Sequence, residues 1–579
     1  MPLPQKKAFL PFFLILLILL SCKKTVTPLQ EGVLNVRLAR DPDILNPILS
    51  ATATAAAIEN LLYLPLMDFD PYTQDFKPVL TSGPAEIIRQ GDNIGYKINI
   101  RQQAVWDDGS PVTSADVSFT LKATLNPFVQ AAGKRSVIYA IDSIELFDDP
   151  RQLVFWTDDR YFLDEYSFTN NFILQASRLD STGLLKDISW SELKYMSPED
   201  TGTAAARARD FAASFSRPEF GREGLSGGGP YRLEEWVANQ YIKLKRKDQW
   251  WGFELADSAV NFRAYALEIT YRIIPEEANA ITALREGLLD VLAADISPSN
   301  FNNLSKDSTL QAKIHFITGP PIRFVYLSLN NRNPRLDQPE TRKALARLLD
   351  LDQLQNNLFQ GYAQRITAPF QPAKEHYHHQ LVPVPFDIEG AKSLLSQAGW
   401  TDSNRNGTVD KKINNRQTEL RLRMLVTPGG LSQQVAIHLQ EQGRKAGIEI
   451  EIIPKPINLL LENLRNHDFE IVALADIQYP GPDDPYPFWH SESYVSDGQN
   501  YTGFGSPFTD SIINEIRYGS PGPGRLALYK VLQQEIYDQQ AAIFLFAPQN
   551  LMAVNKKWEA RAASVRPGYF VNDFRLNIQ

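Results

Sequence analysis

Two groups of side chains have types and spacings that can do chemistry. Glu375-His376-Tyr377-His378-His379 gathers three of the chain's seven histidines. Neutral imidazoles this close can share a nickel, copper or zinc ion. No regular element is apparent there to align the rings. We therefore read His376, His378 and His379 as a polar loop, with metal binding as the alternative. Asp402-Ser403-Asn404-Arg405-Asn406-Gly407-Thr408-Val409-Asp410 places oxygen donors at loop positions 1, 3, 5 and 9 and glycine at 6, the way a calcium loop begins. Position 12 is Ile413, where a bidentate glutamate belongs. Asp402, Asn404 and Asn406 thus read as a plain turn, with calcium as the alternative. No His-Glu-x-x-His or phosphate-cradling Gly-Lys-Ser/Thr motif occurs, so nothing invites zinc-dependent proteolysis or phosphoryl transfer. No cofactor is implied.

The one cysteine is the next reactive group. Lys6 and Lys7 precede an apolar run over residues 8–20. Such a run is too short for a bilayer core, which needs roughly 20 residues, and reads as a secretory signal. It ends in Leu19-Leu20-Ser21-Cys22, which resembles a bacterial lipobox, in which the cysteine becomes the lipidated N-terminus. Residues 1–21 are then a signal peptide and 22–31 a tether holding Thr, Pro and Gln. The expected place is the cell envelope, on the periplasmic side, lipid-anchored to a membrane. With Cys22 acylated, no thiol remains for a disulfide, a nucleophile or a metal.

The elements that must position a site are those of a folded chain. At 579 residues there is room for two to four domains of roughly 150 residues each. A composition 43% hydrophobic and 22% charged excludes general disorder. Net charge is −8, and about −10 once the two signal lysines are gone. No cluster of five or more Lys/Arg occurs, so nucleic acid is not an expected partner. Strand patterns lie at 33–38, 94–100, 152–157 and 241–246. Helix patterns lie at 53–64, 113–123, 278–288, 339–348, 388–398, 431–446 and 526–537. This interleaving gives an α/β or α+β class with several sheets. The glycine-rich patch 224–229 reads as a domain crossing.

Several stretches, in order, resemble the extracellular solute-binding proteins of the oligopeptide/dipeptide ABC importer class, solute-binding protein family 5. They are the opening strand with its Asp41-Pro42-Asp43 turn; Leu62-Tyr63-Leu64-Pro65-Leu66; and Trp106-Asp107-Asp108-Gly109-Ser110-Pro111 running into Val112-Thr113-Ser114-Ala115-Asp116-Val117. Gly228-Gly229-Pro230-Tyr231, Trp250-Trp251-Gly252, Gly287-Leu288-Leu289-Asp290-Val291, Thr341-Arg342-Lys343-Ala344-Leu345 and Ala398-Gly399-Trp400 follow. The resemblance implies an α/β, type II periplasmic-binding-protein fold, two hinged lobes with an extra inserted domain. The expected boundaries are lobe I at 32–71, insertion at 72–225, lobe I again at 226–318, lobe II at 319–540 and a return to lobe I at 541–579. The strand 324–330, after Gly319-Pro320-Pro321, is the expected hinge crossing.

The same resemblance implies a site. Peptide-binding members hold the ligand's α-ammonium group with an aspartate in an Ala-Asp-Tyr-type motif. The matching stretch here is Ala475-Asp476-Ile477-Gln478-Tyr479-Pro480-Gly481-Pro482-Asp483-Asp484-Pro485, and it sets Gln478 at that aspartate. A neutral amide supplies no charge-assisted pair; Asp476, Asp483 or Asp484 substitutes if the loop is shifted. Tyr479 and Trp489 are candidates for an apolar wall. The implied function is that of a monomeric substrate-binding lipoprotein that captures peptides or a related small solute and passes it to a permease served by a separate ATPase. The alternatives are a nickel-type or other solute-binding or sensor lipoprotein of the same fold and, behind them, an envelope hydrolase.

Overall fold

The computed structural model describes residues 32–577, apart from 92, 158–160, 224, 294–295, 478–479, 497 and 521. The signal, the tether and Cys22 lie outside the described residues, as do Gln478 and Tyr479. Two sheets form the frame. The first has seven strands, in spatial order Ile314–Gly319, Asn550–Asn555, Val291–Ala293, Val33–Leu38, Glu268–Ile273, Tyr241–Arg246 and Tyr231–Val237. The second has six, in order Ala363–Arg365, Ala542–Pro548, Arg323–Leu329, Ile471–Ile477, Arg421–Val426 and Glu449–Pro454. Both mix parallel and antiparallel pairs. These sheets are the hearts of lobes I and II of a type II periplasmic-binding-protein fold.

The inserted domain is built on a four-stranded sheet of Glu86–Gln90, Asn93–Asn99, Gln152–Thr157 and Ser143–Leu146. It is not an independent ball. Ile98 and Phe155 of this sheet belong to the same buried cluster as Leu34 and Val36 of lobe I. Burial at about 25 cal/mol per Å² makes a shared core of this kind a rigid union. Lobe II has its own cores, one on each face of its sheet.

Local chemistry explains the elements. Helix Ser114–Leu125 starts at Thr113, whose backbone N–H and hydroxyl both donate to Asp116 Oδ2, at 2.8 and 2.9 Å, a capping box. Gly229 sits where a Cβ would stand 2.5 Å from the Leu61 carbonyl oxygen, so only glycine lets the chain pass helix Ala53–Leu62. Tyr231 then enters the lobe I sheet.

The described chain passes between the two sheets twice. The first passage is 320–322, between the strands ending at Gly319 and beginning at Arg323. The second corrects an expectation. The expected return to lobe I at 541 gives way, because Ala542–Pro548 pairs with Arg323–Leu329 inside the lobe II sheet. The return comes at Gln549. The reason is that residues 542–547 are all buried; their apolar run fills a central strand, and the crossing waits until it ends. Gly319 pairs with Asn550 and Val325 with Phe546, so the two crossings run side by side.

Candidate functional site

The central lobe II strand Arg323–Leu329 sorts its side chains by parity. Val325, Leu327 and Leu329 enter one core with Leu345 and Leu439. Phe324, Tyr326 and Ser328 point the other way, as a period of two requires, and line a cavity of about 240 Å³. Antiparallel register puts Asp476 opposite Phe324, on the same face. After Ile477 the chain enters the loop that includes 480–485. It brings Asp483 and Asp484 to the cavity, and helix Tyr486–Trp489 adds Phe488 and Trp489. Phe370 completes an aromatic wall.

The polar groups of the cavity are few and uneven. Asp476 is half-buried, and its carboxyl is pushed up to about 6, first by burial and then by the Asp483 charge. Among the described residues it makes no ion pair. Asp483 and Asp484 are compensated: Asp483 by Lys374 at 3.4 Å and His376 at 2.9 Å, Asp484 by Arg517 at 3.1 Å. The Ser328 hydroxyl is buried with no hydrogen-bond partner among the described residues. The Tyr326 phenol is pushed up by burial first, then by Asp476 and Tyr501, so it stays a neutral donor. No described Lys, Arg or His lines the cavity. Such a box suits a guest with an apolar body and a cationic or donor group.

Of the residues singled out from sequence, Asp476, Asp483 and Trp489 lie together on this cavity, while Gln478 and Tyr479 lie outside the described residues. The histidines do not converge. His376 turns inward, bonds Asp483 through Nε2 and stacks on the Tyr529 ring with centroids 4.3 Å apart. His378 is half-buried and His379 exposed, its ring against Tyr377 at 4.9 Å. Among the described residues no group of three or more His, Cys, Asp or Glu could hold a metal. The Asp402 loop is closed by its own side chains. Asp402 accepts the backbone N–H groups of Asn406 and Gly407, and Asn404 Oδ1 accepts that of Asn406. These bonds close the turn, which leads into the hairpin Asp410–Ile413/Arg416–Glu419.

Sequence reasoning missed Phe324, Tyr326, Ser328 and Phe370 as lining. The strand was recognised but its facing was not. It also missed Leu163, which reaches the cavity from the inserted domain.

The comparisons agree with this architecture. Residues 89–498 match the model of the bacterial extracellular solute-binding proteins, family 5 Middle. The oligopeptide-binding protein AppA of Bacillus subtilis is 26% identical over 546 residues, 93% of this chain and 90% of that protein. Its solved structure, in complex with a nonapeptide, superposes with a TM-score of 0.70 at 22% identity, covering 95% of this chain and 99% of that one. The structure of NikZ from Campylobacter jejuni with Ni(L-His) gives 0.70 at 18% identity, covering 94% and 100%. With a family match across most of the chain, on two mixed sheets joined by paired crossings, the chain belongs to the bacterial extracellular solute-binding proteins of family 5.

Proposed function

We propose that this protein is the lipid-anchored substrate-binding subunit of an ABC importer. It captures a peptide or a related amine-bearing solute between its lobes and delivers it, unaltered, to a membrane permease with its own ATPase. The observation that carries the reading is Asp476. Among the described residues this half-buried carboxylate has no ion pair and the Ser328 hydroxyl beside it no hydrogen-bond partner, on a cavity walled by aromatic rings. A ligand ammonium meeting Asp476 supplies the charge-assisted hydrogen bond, about 1.5–3 kcal/mol, that Gln478 cannot. Extended peptides add backbone hydrogen bonds in the manner of an extra strand.

The test is mass spectrometry of what co-purifies with the mature protein, followed by calorimetry with that peptide. Asp476→Asn should weaken binding about tenfold to a hundredfold. An unchanged dissociation constant removes Asp476 from the site, and failure of every peptide to co-purify or bind refutes the ligand class. The anchor is tested separately. Cys22→Ser should release the protein from membranes or leave the precursor unprocessed, and unchanged attachment would contradict lipidation. Scattering mass should be that of a monomer.

A further inference from the structure

We propose that Tyr161, Asp484 and Arg517 form a latch that holds the inserted domain against lobe II over the cavity without any contribution from a ligand. The Tyr161 hydroxyl donates to Asp484 Oδ2 at 2.7 Å, and Arg517 Nε donates to the same oxygen at 3.1 Å. The Tyr486 backbone N–H occupies the other oxygen at 2.9 Å. The Arg517 guanidinium lies over the Tyr161 ring at 5.0 Å and the Tyr486 ring at 4.2 Å. Next in sequence, the Phe162 N–H donates to the Arg517 carbonyl at 3.1 Å, and Arg525 sits over the Phe162 ring at 5.1 Å.

Every atom in this cluster belongs to the chain itself, and the cluster spans the two bodies. Tyr161 and Phe162 belong to the inserted domain, which shares its core with lobe I; Asp484, Arg517 and Arg525 belong to lobe II. The arginine and aspartate are mostly buried, where a carboxylate shared by a phenol and a guanidinium is strongest. Two residues beyond Tyr161 comes Leu163, the one described lining residue of the cavity that lies outside lobe II. The latch therefore seats the piece of the inserted domain that roofs the ligand. Tyr161 and Arg517 are positioning residues: they act on the guest through Leu163 and the Asp484 loop. Closure contacts of this kind raise affinity by lowering the cost of closing, and they make the inserted domain part of the clamp.

The inference needs the two-body fold and not a peptide ligand. A protein that bound no peptide yet opened on breaking the cluster would fail the functional proposal and keep this one. The experiment uses the mature protein stripped of ligand by unfolding and refolding. Tyr161→Phe keeps the ring over Arg517 and removes only the hydroxyl; Asp484→Asn keeps the shape and removes the charge. Amide hydrogen exchange at Phe162 should quicken about tenfold in each, and small-angle scattering should show a larger radius of gyration. Exchange at the buried strand Val33–Leu38, remote from the cluster, should be unchanged, which separates opening from unfolding. Wild-type protein already open in scattering, or variants whose exchange and scattering match wild type, would overturn the latch.

Discussion

At the scale of single residues, the cavity keeps groups that cost the free protein folding free energy. Asp476 has its pKa raised in the folded state by burial and by Asp483. Its charge therefore opposes folding fully above about pH 6, and the penalty vanishes below the ordinary carboxylate range near 4. Asp476→Asn should raise stability in urea melts by about 1–2 kcal/mol at pH 7.5 and give no gain at pH 4, while it weakens the ligand. Binding of an amine ligand should fall as pH drops through 6 and be about tenfold weaker at pH 5. A flat pH profile would show that the ammonium goes elsewhere. Ser328 follows the same logic. Its buried hydroxyl, without a partner among the described residues, is a cost in the free protein, so Ser328→Ala should leave stability unchanged or raise it by about 1 kcal/mol and weaken binding severalfold.

At the scale of elements, the loop at 480–485 is held from behind. Beneath it lie Lys374, which donates to the Gly481 carbonyl, and His376, bonded to Asp483. The Tyr529 hydroxyl also donates to the Asp483 carbonyl. His376→Ala removes a stacked ring and leaves Asp483 short of a partner, so chemical melts should lose about 2–3 kcal/mol. A loss below about 0.5 kcal/mol would mean that the loop stands by itself. This support also explains what was legible in the sequence. The motifs that carried the family resemblance are scaffold chemistry. Asp116 caps its helix and accepts from Trp106 Nε1; the Tyr231 hydroxyl ties to the Ala266 carbonyl; Asp290 accepts the Asn35 backbone N–H. Local rules of capping and strand entry leave such marks, and the helix and strand patterns fell within a few residues of the observed elements. The cavity leaves none. Its central strand has an apolar face on each side, so Phe324 to Leu329 reads as one hydrophobic run and the period of two is hidden. The loop that meets this strand comes from about 150 positions later in the sequence, and nothing local to His376, read as part of a polar loop, reveals Asp483 as its partner.

At the scale of the whole molecule, function depends on two bodies joined by paired crossings at 320–322 and 549. Few bonds must change for such a pair of segments to flex, as a hinge requires, and the faces that meet are where closure is decided. Besides the Tyr161 cluster, one contact is set by a missing side chain. Gly481 has φ of 81°, and a Cβ there would stand 2.5 Å from the Phe69 ring. Phe69 lies on the hairpin Met67–Phe69/Phe76–Pro78, outside lobe II, and is braced by Phe76 and Tyr166 at 4.7 and 5.2 Å. Gly481→Ala therefore adds a methyl where the bodies touch, and it also strains the left-handed backbone by roughly 1 kcal/mol. The ring is too well packed to retreat without cost, so the lobes should close less completely. Stopped-flow measurement with the co-purified peptide should show dissociation faster by about tenfold or more, with association little changed. Phe69→Ala in the same chain should restore slow release by making room for the methyl. If the double variant stayed as fast as the single one, backbone strain within the loop, and not contact between the bodies, would be the cause.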